Sequence, residues 1–158
     1  MLSQAITNFH DNLARIRRAD YNETEVRVQF INPLFEALGW DMRDTGGRRE
    51  VRHEDRIHIS GKAKAPDYGF YLDGRRKFFV EAKKPAVNLD KHTDPAYQLR
   101  RYAWTARLPL SVLTDFEEFA VYDTRVRPAV GDSPRVARLR YWTYDQYLDA
   151  WDDIAAVF

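Results

Sequence analysis

Residues 78–85 read FFVEAKKP, a short apolar run that predicts a buried β-strand but ends in an acid, an alanine and two lysines. Side chains alternate between the two faces of a strand, so Glu81 and Lys83 share one face while Val80 and Ala82 share the other. Glu81 and Lys83 therefore leave the core side by side. A weak, exposed ion pair at a fraying strand end would account for these two residues alone, but the preceding strand favours a functional site.

The preceding strand begins after Asp67, and thirteen residues separate Asp67 from Glu81. The segment between them contains Asp-Gly-Arg-Arg, which is typical of a hairpin turn. A two-residue loop at Asp73–Gly74 would oppose Asp67 to Val80, on the wrong face, whereas a three-residue loop at Asp73–Arg75 opposes Asp67 to Glu81. We predict this second register, or a β-bulge that restores it. Either way, two carboxylates and a lysine converge at one end of the hairpin.

A third carboxylate, Glu23, is placed by helical phase. Apolar residues recur at helical spacing on a helix that begins after Asn22 and ends at Gly39. At about 100° per residue, Glu23 falls within this apolar stripe, whereas Glu25 points to the opposite side. Glu23 therefore faces the sheet, which is costly for a carboxylate unless it meets a cation or hydrogen-bond donors. A shared metal site and an ion pair with Arg27 both explain this placement, and both stay open.

The remaining periodicities predict the order helix, helix, three strands, helix, two strands, helix. We expect helices at residues 2–18, 22–39 (with a kink or break at Pro33), 94–106 and about 144–157, and strands at 51–58, 68–72, 77–82, 110–113 and 119–122. The stretch 124–138, rich in Arg and Pro, is expected to be a loop. The order predicts an α/β fold with a mixed central sheet flanked by helices.

The composition indicates a globular protein of ordinary size. With 158 residues, 44% of them hydrophobic, residues 1–158 can form one domain with a substantial core. Cysteine is absent, and no stretch approaches the roughly 18–20 apolar residues of a membrane span. We therefore expect a cytoplasmic protein without a membrane partner. The 25 basic and 24 acidic residues nearly balance, so much of any affinity for nucleic acid should reside in attached domains.

The candidate residues favour hydrolysis with a hard metal ion. Two or three carboxylates without His or Cys suit Mg²⁺ or Mn²⁺ better than zinc. A lysine beside such a metal can orient a water molecule and offset the negative charge that builds on a phosphate oxygen. The sequence contains no Ser, Cys or Thr nucleophile motif and no Gly-rich phosphate loop.

Pro66-Asp67, thirteen residues and then Glu81-Ala82-Lys83 resemble the PD-(D/E)xK nuclease signature. More narrowly, the chain resembles the N-terminal nuclease domain of type I restriction enzyme motor subunits in four blocks: NETEVRVQFINPLFEALGW (22–40), APDYGFYL (65–72), FFVEAKKP (78–85) and YQLRRYAW (97–104). The same domain is found in type IIG-like proteins that fuse restriction and methyltransferase activities. The resemblance covers about residues 22–122 and implies a restriction-endonuclease-like core.

The resemblance also implies roles for the residues of the hairpin. Asp67 and Glu81 match the acids that bind Mg²⁺, together with the backbone carbonyl of Ala82. Mn²⁺ is expected to substitute for Mg²⁺. Lys83 matches the lysine that assists the attacking water. Glu23 matches the acid of the first core helix, which helical phase also turns inward.

Four further residues are expected near the site or the DNA. Gln98 and Tyr102 match the Gln-x-x-x-Tyr motif of the family, and residues four apart share one face of a helix. A buried tyrosine with a polar neighbour would also explain this pair. Lys62 and Lys64 precede Asp67 and are candidates for contacts with phosphates, although ordinary surface lysines would look the same.

By this resemblance, the chain is expected to be the Mg²⁺-dependent DNA endonuclease domain of a restriction-modification system. Its expected partners are DNA and methyltransferase, specificity or translocase domains or subunits, with dimerisation for cleavage of both strands. Two alternatives stay open: a repair, junction-resolving or RNA nuclease of the same fold, and a catalytically idle binding or assembly module.

Overall fold

A computed structural model describes residues 1–158 and contains a six-stranded mixed sheet and a separate two-stranded hairpin. The strand order of the large sheet is β1-β4-β5-β6-β7-β8, and β2 pairs only with β3. The strands are β1 (Val51–His53), β2 (Ile57–Ile59), β3 (Lys62–Lys64), β4 (Tyr68–Leu72), β5 (Arg75–Ala82), β6 (Leu110–Thr114), β7 (Glu118–Asp123) and β8 (Arg138–Thr143). All neighbours are antiparallel except β5 and β6, which are parallel.

The β4–β5 hairpin has a tighter turn than the predicted three-residue loop, so that prediction is wrong. Leu72 pairs with Arg75 across a two-residue turn. Asp73 and Gly74 both have positive φ, 52° and 76°, as a type I′ turn requires. A bulge between Phe70 and Tyr71 then shifts the register by one residue, as the alternative prediction required.

The helices predicted at 2–18, 22–39 and 144–157 are divided into shorter segments, whereas the helix predicted at 94–106 is found at Thr93–Thr105. The segments are α1 (Leu2–Asp11), α2 (Leu13–Ile16), α3 (Glu23–Val26), a π-helical segment (Arg27–Ile31), α4 (Asn32–Ala37), α5 (Thr93–Thr105), a 3₁₀ turn (Tyr144–Gln146) and α6 (Trp151–Val157). The expected helix 2–18 is interrupted at Asn12, whose side chain donates to the carbonyl of Asn8 at 2.9 Å. The longest helix has 13 residues, and none combines the length and apolar character that crossing a membrane requires.

The predicted kink near Pro33 takes the form of a π-helical segment. Pro33 lies in the first turn of α4, directly after the five π-helical residues. A proline in a regular helix lacks an N–H and clashes with the carbonyl of the preceding turn, and a wider π turn gives it room. Gly39 ends the helix with φ 99°, so the predicted C-terminal stop is confirmed.

The predicted strands differ from the structure at residues 51–64 and at β8. The expected strand 51–58 is divided between β1 and β2, which belong to different sheets. β8 has no counterpart among the predicted strands because it follows the expected loop and carries Arg at alternate positions. Only Trp142 of its six residues is buried, so the strand lacks the apolar face by which β-strands are recognised.

The core has two parts, one on each face of the large sheet. One face packs against α1 to α4 and α6, and its sheet residues include Phe70, Phe78, Val80, Val112 and Phe119. The other face packs against α5 and the β2–β3 hairpin, and its sheet residues include Phe79, Leu113, Ala120 and Tyr122. Period two in β5 therefore assigns Glu81 and Lys83 to the side of α5.

Candidate active site

Asp67 and Glu81 lie opposite each other where β4 begins and β5 ends, one step beyond the Tyr68–Val80 pair. The backbone N–H of Asp67 donates to Oε1 of Glu81 at 2.9 Å, and the N–H of Ala82 donates to Oδ2 of Asp67 at 2.8 Å. Each carboxylate is thus held by the backbone of the other strand. One oxygen of each has no backbone donor and remains available to a ligand.

The carboxylates crowd one another in a desolvated position. Burial, reinforced by the charge of Asp67, raises the pKa of Glu81 to about 8, although a backbone hydrogen bond and Lys83 act in the opposite direction. Burial and the charge of Asp67 likewise raise the pKa of Glu23 to about 7. These shifts show that the cations nearby do not fully compensate the acids.

Glu23 reaches the site from the first turn of α3, as the helical phase predicted. Asn22 caps this helix, accepting a hydrogen bond from the N–H of Glu25 on its side-chain oxygen at 2.8 Å. Glu23 is partly buried and interacts with the Asp67 carboxylate and with Lys83. The structure therefore brings together the acids of two strands and one helix.

Arg27 is the cation closest to Asp67. Its Nη1 lies 3.7 Å from Oδ1 of Asp67, and its Nη2 donates to the carbonyl oxygen of Asp67 at 3.3 Å. The guanidinium also stacks on the ring of Tyr68, 4.5 Å from the centroid, and contacts Nδ1 of His53 at 3.3 Å. Arg27 therefore forms its ion pair with Asp67 and not with Glu23. The sequence pattern did not indicate the contacts of Arg27 with His53 and Tyr68.

Lys83 and its neighbour Lys84 have different surroundings. The N–H of Lys83 donates to the carbonyl of Thr114 at 3.0 Å, which continues the parallel pairing with β6. The charge of Lys83 lowers the pKa of both Glu81 and Glu23, so its ammonium group lies on their side. Lys84 instead donates from Nζ to the carbonyl of Ala19 at 3.2 Å. Of the two lysines, only Lys83 faces the acids.

The carboxylates suit a magnesium ion that keeps several water ligands better than a metal ion that is bound by side chains alone. No three His, Asp or Glu side chains converge closely enough to hold one metal. Mg²⁺ is commonly bound through only one or two carboxylates and keeps several waters. The free oxygens of Asp67 and Glu81, together with the carbonyl of Ala82, fit this ligand set. Glu23 then lies beside the ligands and is not one of them.

Gln98 and Tyr102 lie together on α5, on the same side as the acids. Nε2 of Gln98 donates to the hydroxyl of Tyr102 at 2.5 Å. Burial raises the pKa of Tyr102, and the charges of Glu81 and Asp67 contribute to the rise although the bond from Gln98 opposes it. The hydroxyl of Tyr102 is therefore close enough to the carboxylates for their charges to raise its pKa.

The four accessory residues do not all share one surface. Lys64, Gln98 and Tyr102 line a cavity of about 320 Å³ between the β2–β3 hairpin and α5. Lys62 lies on the same hairpin, exposed, and does not line this cavity. Arg101 and Tyr97 also line it and were missed in the sequence. Their spacing from Gln98 and Tyr102 puts all four on one side of a helix, which is the signal that would have found them.

A larger cavity, about 640 Å³, lies elsewhere, beside Trp104, Arg107 and Arg125. It is lined by no acid. The paired carboxylates, rather than cavity size, therefore locate the candidate site.

Comparisons with known proteins agree with this architecture. Residues 22–132 match the family model of the type I restriction enzyme R protein N terminus. The chain is 38% identical over 159 residues to the type II restriction enzyme and methyltransferase RM.Eco57I of Escherichia coli, covering 97% of this chain and 16% of that protein. It also resembles the crystal structure of the type IIG restriction endonuclease BpuSI, with a TM-score of 0.50 and 16% identity over 83% of this chain and 17% of that one. The predicted fold class is confirmed.

Proposed function

Since the chain belongs to the family of type I restriction enzyme R protein N termini, we propose that it is the Mg²⁺-dependent DNA endonuclease domain of a restriction enzyme. The observation that carries the proposal is the reciprocal pairing of Asp67 and Glu81 through backbone hydrogen bonds, with Lys83 on the same face. This arrangement holds two carboxylate oxygens and one cation at a strand end, the groups that metal-dependent phosphodiester hydrolysis uses and that a purely structural ion pair does not need.

The residues would divide the work as follows. Asp67, Glu81 and the carbonyl of Ala82 hold Mg²⁺, which when bound supplies Lewis-acid stabilisation of the phosphate and lowers the pKa of water. Lys83 donates a hydrogen bond to the attacking water or to a phosphate oxygen and offsets its growing negative charge. Glu23 accepts a hydrogen bond from the same water.

The chain spans about one sixth of the length of the relatives it matches. RM.Eco57I is described as both a restriction enzyme and a methyltransferase. We infer that methyltransferase, sequence-specificity or translocase domains or subunits accompany this domain, and that residues 1–158 fold as its one nuclease domain. Each chain has one candidate site, so cutting both strands would need two copies. A cytoplasmic location follows from this function.

The test is cleavage of supercoiled plasmid DNA in Mg²⁺ or Mn²⁺ by the wild-type chain and by Asp67→Ala, Lys83→Ala and Lys84→Ala. Lys84→Ala is the matched control because it removes the same side chain one position away, where Lys84 contacts Ala19 and not the acids. We expect metal-dependent nicking by the wild type and by Lys84→Ala, and a loss of at least about 100-fold in the other two, the range typical of groups that stabilise a transition state.

Cleavage that survives Asp67→Ala and Lys83→Ala would contradict the assignment of the site. Loss of cleavage in Lys84→Ala to the same extent would also contradict it, because the two lysines would then be equivalent. Thermal unfolding of each variant shows that the comparison is made between folded proteins. An RNA transcript of the plasmid sequence, tested in parallel, distinguishes a nuclease that acts on DNA from one that acts on RNA.

A further inference from the structure

A polar groove of about 320 Å³ lies between the β2–β3 hairpin and α5, beside the paired carboxylates. Lys64 lines it from the hairpin and Arg101 from the helix. The partly buried ring of Tyr97 and the apolar side chain of Ile59 also line it. The groove therefore combines two cations with an aromatic ring and an apolar patch, the groups that bind the phosphates and bases of nucleic acid strands.

The cations of the groove are free to bind an anion. Neither Lys64 nor Arg101 takes part in any of the nine ion pairs of the chain. Asp94 is the only acid that lines the groove. It lies seven residues before Arg101, about 10 Å along the helix at 1.5 Å per residue. The groove is thus acidic near the start of α5 and basic further along that helix.

Both cations of the groove lie near elements that carry the candidate site. Lys64 precedes Asp67 by three residues, which limits the separation of their backbones to about 10 Å. Arg101 adjoins Tyr102, which packs in the same apolar cluster as Phe79, on the face of β5 that also carries Glu81. An anion held between Lys64 and Arg101 would therefore be a near neighbour of a phosphate bound at the carboxylates.

We propose that this groove binds one nucleotide of the DNA strand being cut, next to the scissile phosphate. Lys64 and Arg101 hold its phosphate, and the ring of Tyr97 stacks against its base or sugar. The inference rests on the proposed function for the position of the scissile phosphate. The volume is near the lower end of small-ligand pockets, roughly 300–1,000 Å³, which matches the size of one nucleotide.

The experiment measures binding of a fluorescent single-stranded oligonucleotide by anisotropy across a range of salt concentrations, in EDTA so that no hydrolysis occurs. For single strands the slope of log K against log salt changes by about 0.7 for each phosphate contact. We expect Lys64→Ala/Arg101→Ala to reduce the slope by about 0.7, because both cations hold the same phosphate. Tyr97→Ala should weaken binding roughly 5- to 100-fold through lost stacking with the slope unchanged, and Tyr97→Phe should restore it.

The matched control is Arg75→Ala/Lys77→Ala, which removes the same two charges. Both side chains are exposed at the turn end of the β4–β5 hairpin, the opposite end of β5 from Glu81. We expect the slope of this variant to equal that of the wild type. Equal slopes for the groove variant and the control variant would overturn the proposal, because the effect would then depend on net charge alone.

Cleavage of the supercoiled plasmid in Mg²⁺, measured beside the oligonucleotide binding, separates this inference from the proposed function. Normal binding in the groove without any hydrolysis would contradict the nuclease assignment and leave the groove in place. Hydrolysis by Lys64→Ala/Arg101→Ala with an unchanged KM would contradict the groove and leave the nuclease assignment in place. An increase in KM without a comparable fall in kcat supports the groove, since Lys64 and Arg101 would bind the strand without touching the reacting atoms.

Discussion

Glu81 is a buried acid whose nearest charged neighbours include two other acids, so its ionised form is unfavourable in the folded protein without metal. Its pKa rises to about 8, against about 4.3 for an unfolded glutamate. The folded state therefore binds the proton more tightly than the unfolded state does. The stability that this proton contributes is present below the unfolded pKa and is lost as the pH rises through the folded pKa.

We predict that Glu81→Gln stabilises the metal-free protein at pH 8 by a few kcal/mol, because each unit of pKa shift corresponds to about 1.4 kcal/mol. The amide introduced by this change still offers an oxygen to the N–H of Asp67 but carries no charge. The gain should shrink as the pH falls toward 5. Urea unfolding in EDTA at pH 8 and pH 5 measures this gain in stability. Glu25→Gln is the control, because it makes the same change at an acid outside the site.

The same variant tests metal binding. Mn²⁺ at 100 times its Kd should stabilise the wild type by about 2.7 kcal/mol, and it should stabilise Glu81→Gln far less. A wild type that gains nothing from Mn²⁺, or a Glu81→Gln protein that gains as much as the wild type, would contradict the assignment of Glu81 as a ligand.

The sequence predicted residues of the site where a repeating pattern set their direction. Glu23 was placed by the phase of one helix, and Glu81 and Lys83 by strand alternation, because each depends only on its own element. An ion pair between Arg27 and Glu23 was one of the two explanations left open for the inward placement of Glu23, but Arg27 contacts Asp67 instead. Which acid an arginine reaches depends on how a helix packs over a sheet, and local spacing does not contain that information.

At the scale of elements, the β4–β5 hairpin shows how a turn and a bulge act together. The two-residue turn alone would oppose Asp67 to Val80, and the bulge between Phe70 and Tyr71 restores the register that opposes Asp67 to Glu81. Turn type follows from Asp73–Gly74, which suits positive φ. The bulge leaves no equally clear local signal, because it depends on which residues the two faces of the sheet must bury.

Gly69 allows the β2–β3 hairpin to attach to this sheet. The carboxylate of Asp55, at the entry to the hairpin, accepts hydrogen bonds from the hydroxyl of Tyr71 at 2.6 Å and from Nε of Arg76 at 2.9 Å. A Cβ on Gly69 would lie only 2.7 Å from Cγ and 2.9 Å from Cβ of Asp55. The side chain of Asp55 therefore lies over β4 at Gly69, the one residue of that strand without a side chain.

We predict that Gly69→Ala destabilises the protein by about 1–3 kcal/mol, the usual cost of overpacking a core. The closest clash is with the carboxyl group of Asp55, so Gly69→Ala and Asp55→Ala should be non-additive, with Asp55→Ala costing little once Gly69→Ala is present. The Cβ that alanine keeps at position 55 leaves part of the clash in the double variant. Chemical unfolding of the wild type, both single variants and the double variant completes the cycle. Additive effects would show that Asp55 is not the residue that excludes a side chain at position 69.

At the scale of the whole molecule, the candidate site lies at one end of a sheet in a nearly neutral chain. The net charge is only +1, so non-specific attraction to DNA phosphates is weak. The order of the main elements was predictable because apolar periodicity marks buried helices and strands. The positions of β8 and the β2–β3 hairpin were not predictable, because their outer residues are polar and contacts with other elements determine where they lie in the fold.

One site per chain and no evident base-reading element predict that the isolated chain nicks one strand without sequence preference. A phosphodiester bond is cut wherever its strand reaches the carboxylates, because phosphate contacts position a strand without reading its bases. In a plasmid time course, nicked circles should precede linear DNA, and the nicking rate should rise in proportion to protein concentration. Sequencing of the nicked ends should find unrelated flanking bases. Linear DNA formed without a nicked intermediate, at a rate that rises with the square of concentration, would show instead that two copies assemble on DNA without any further domain.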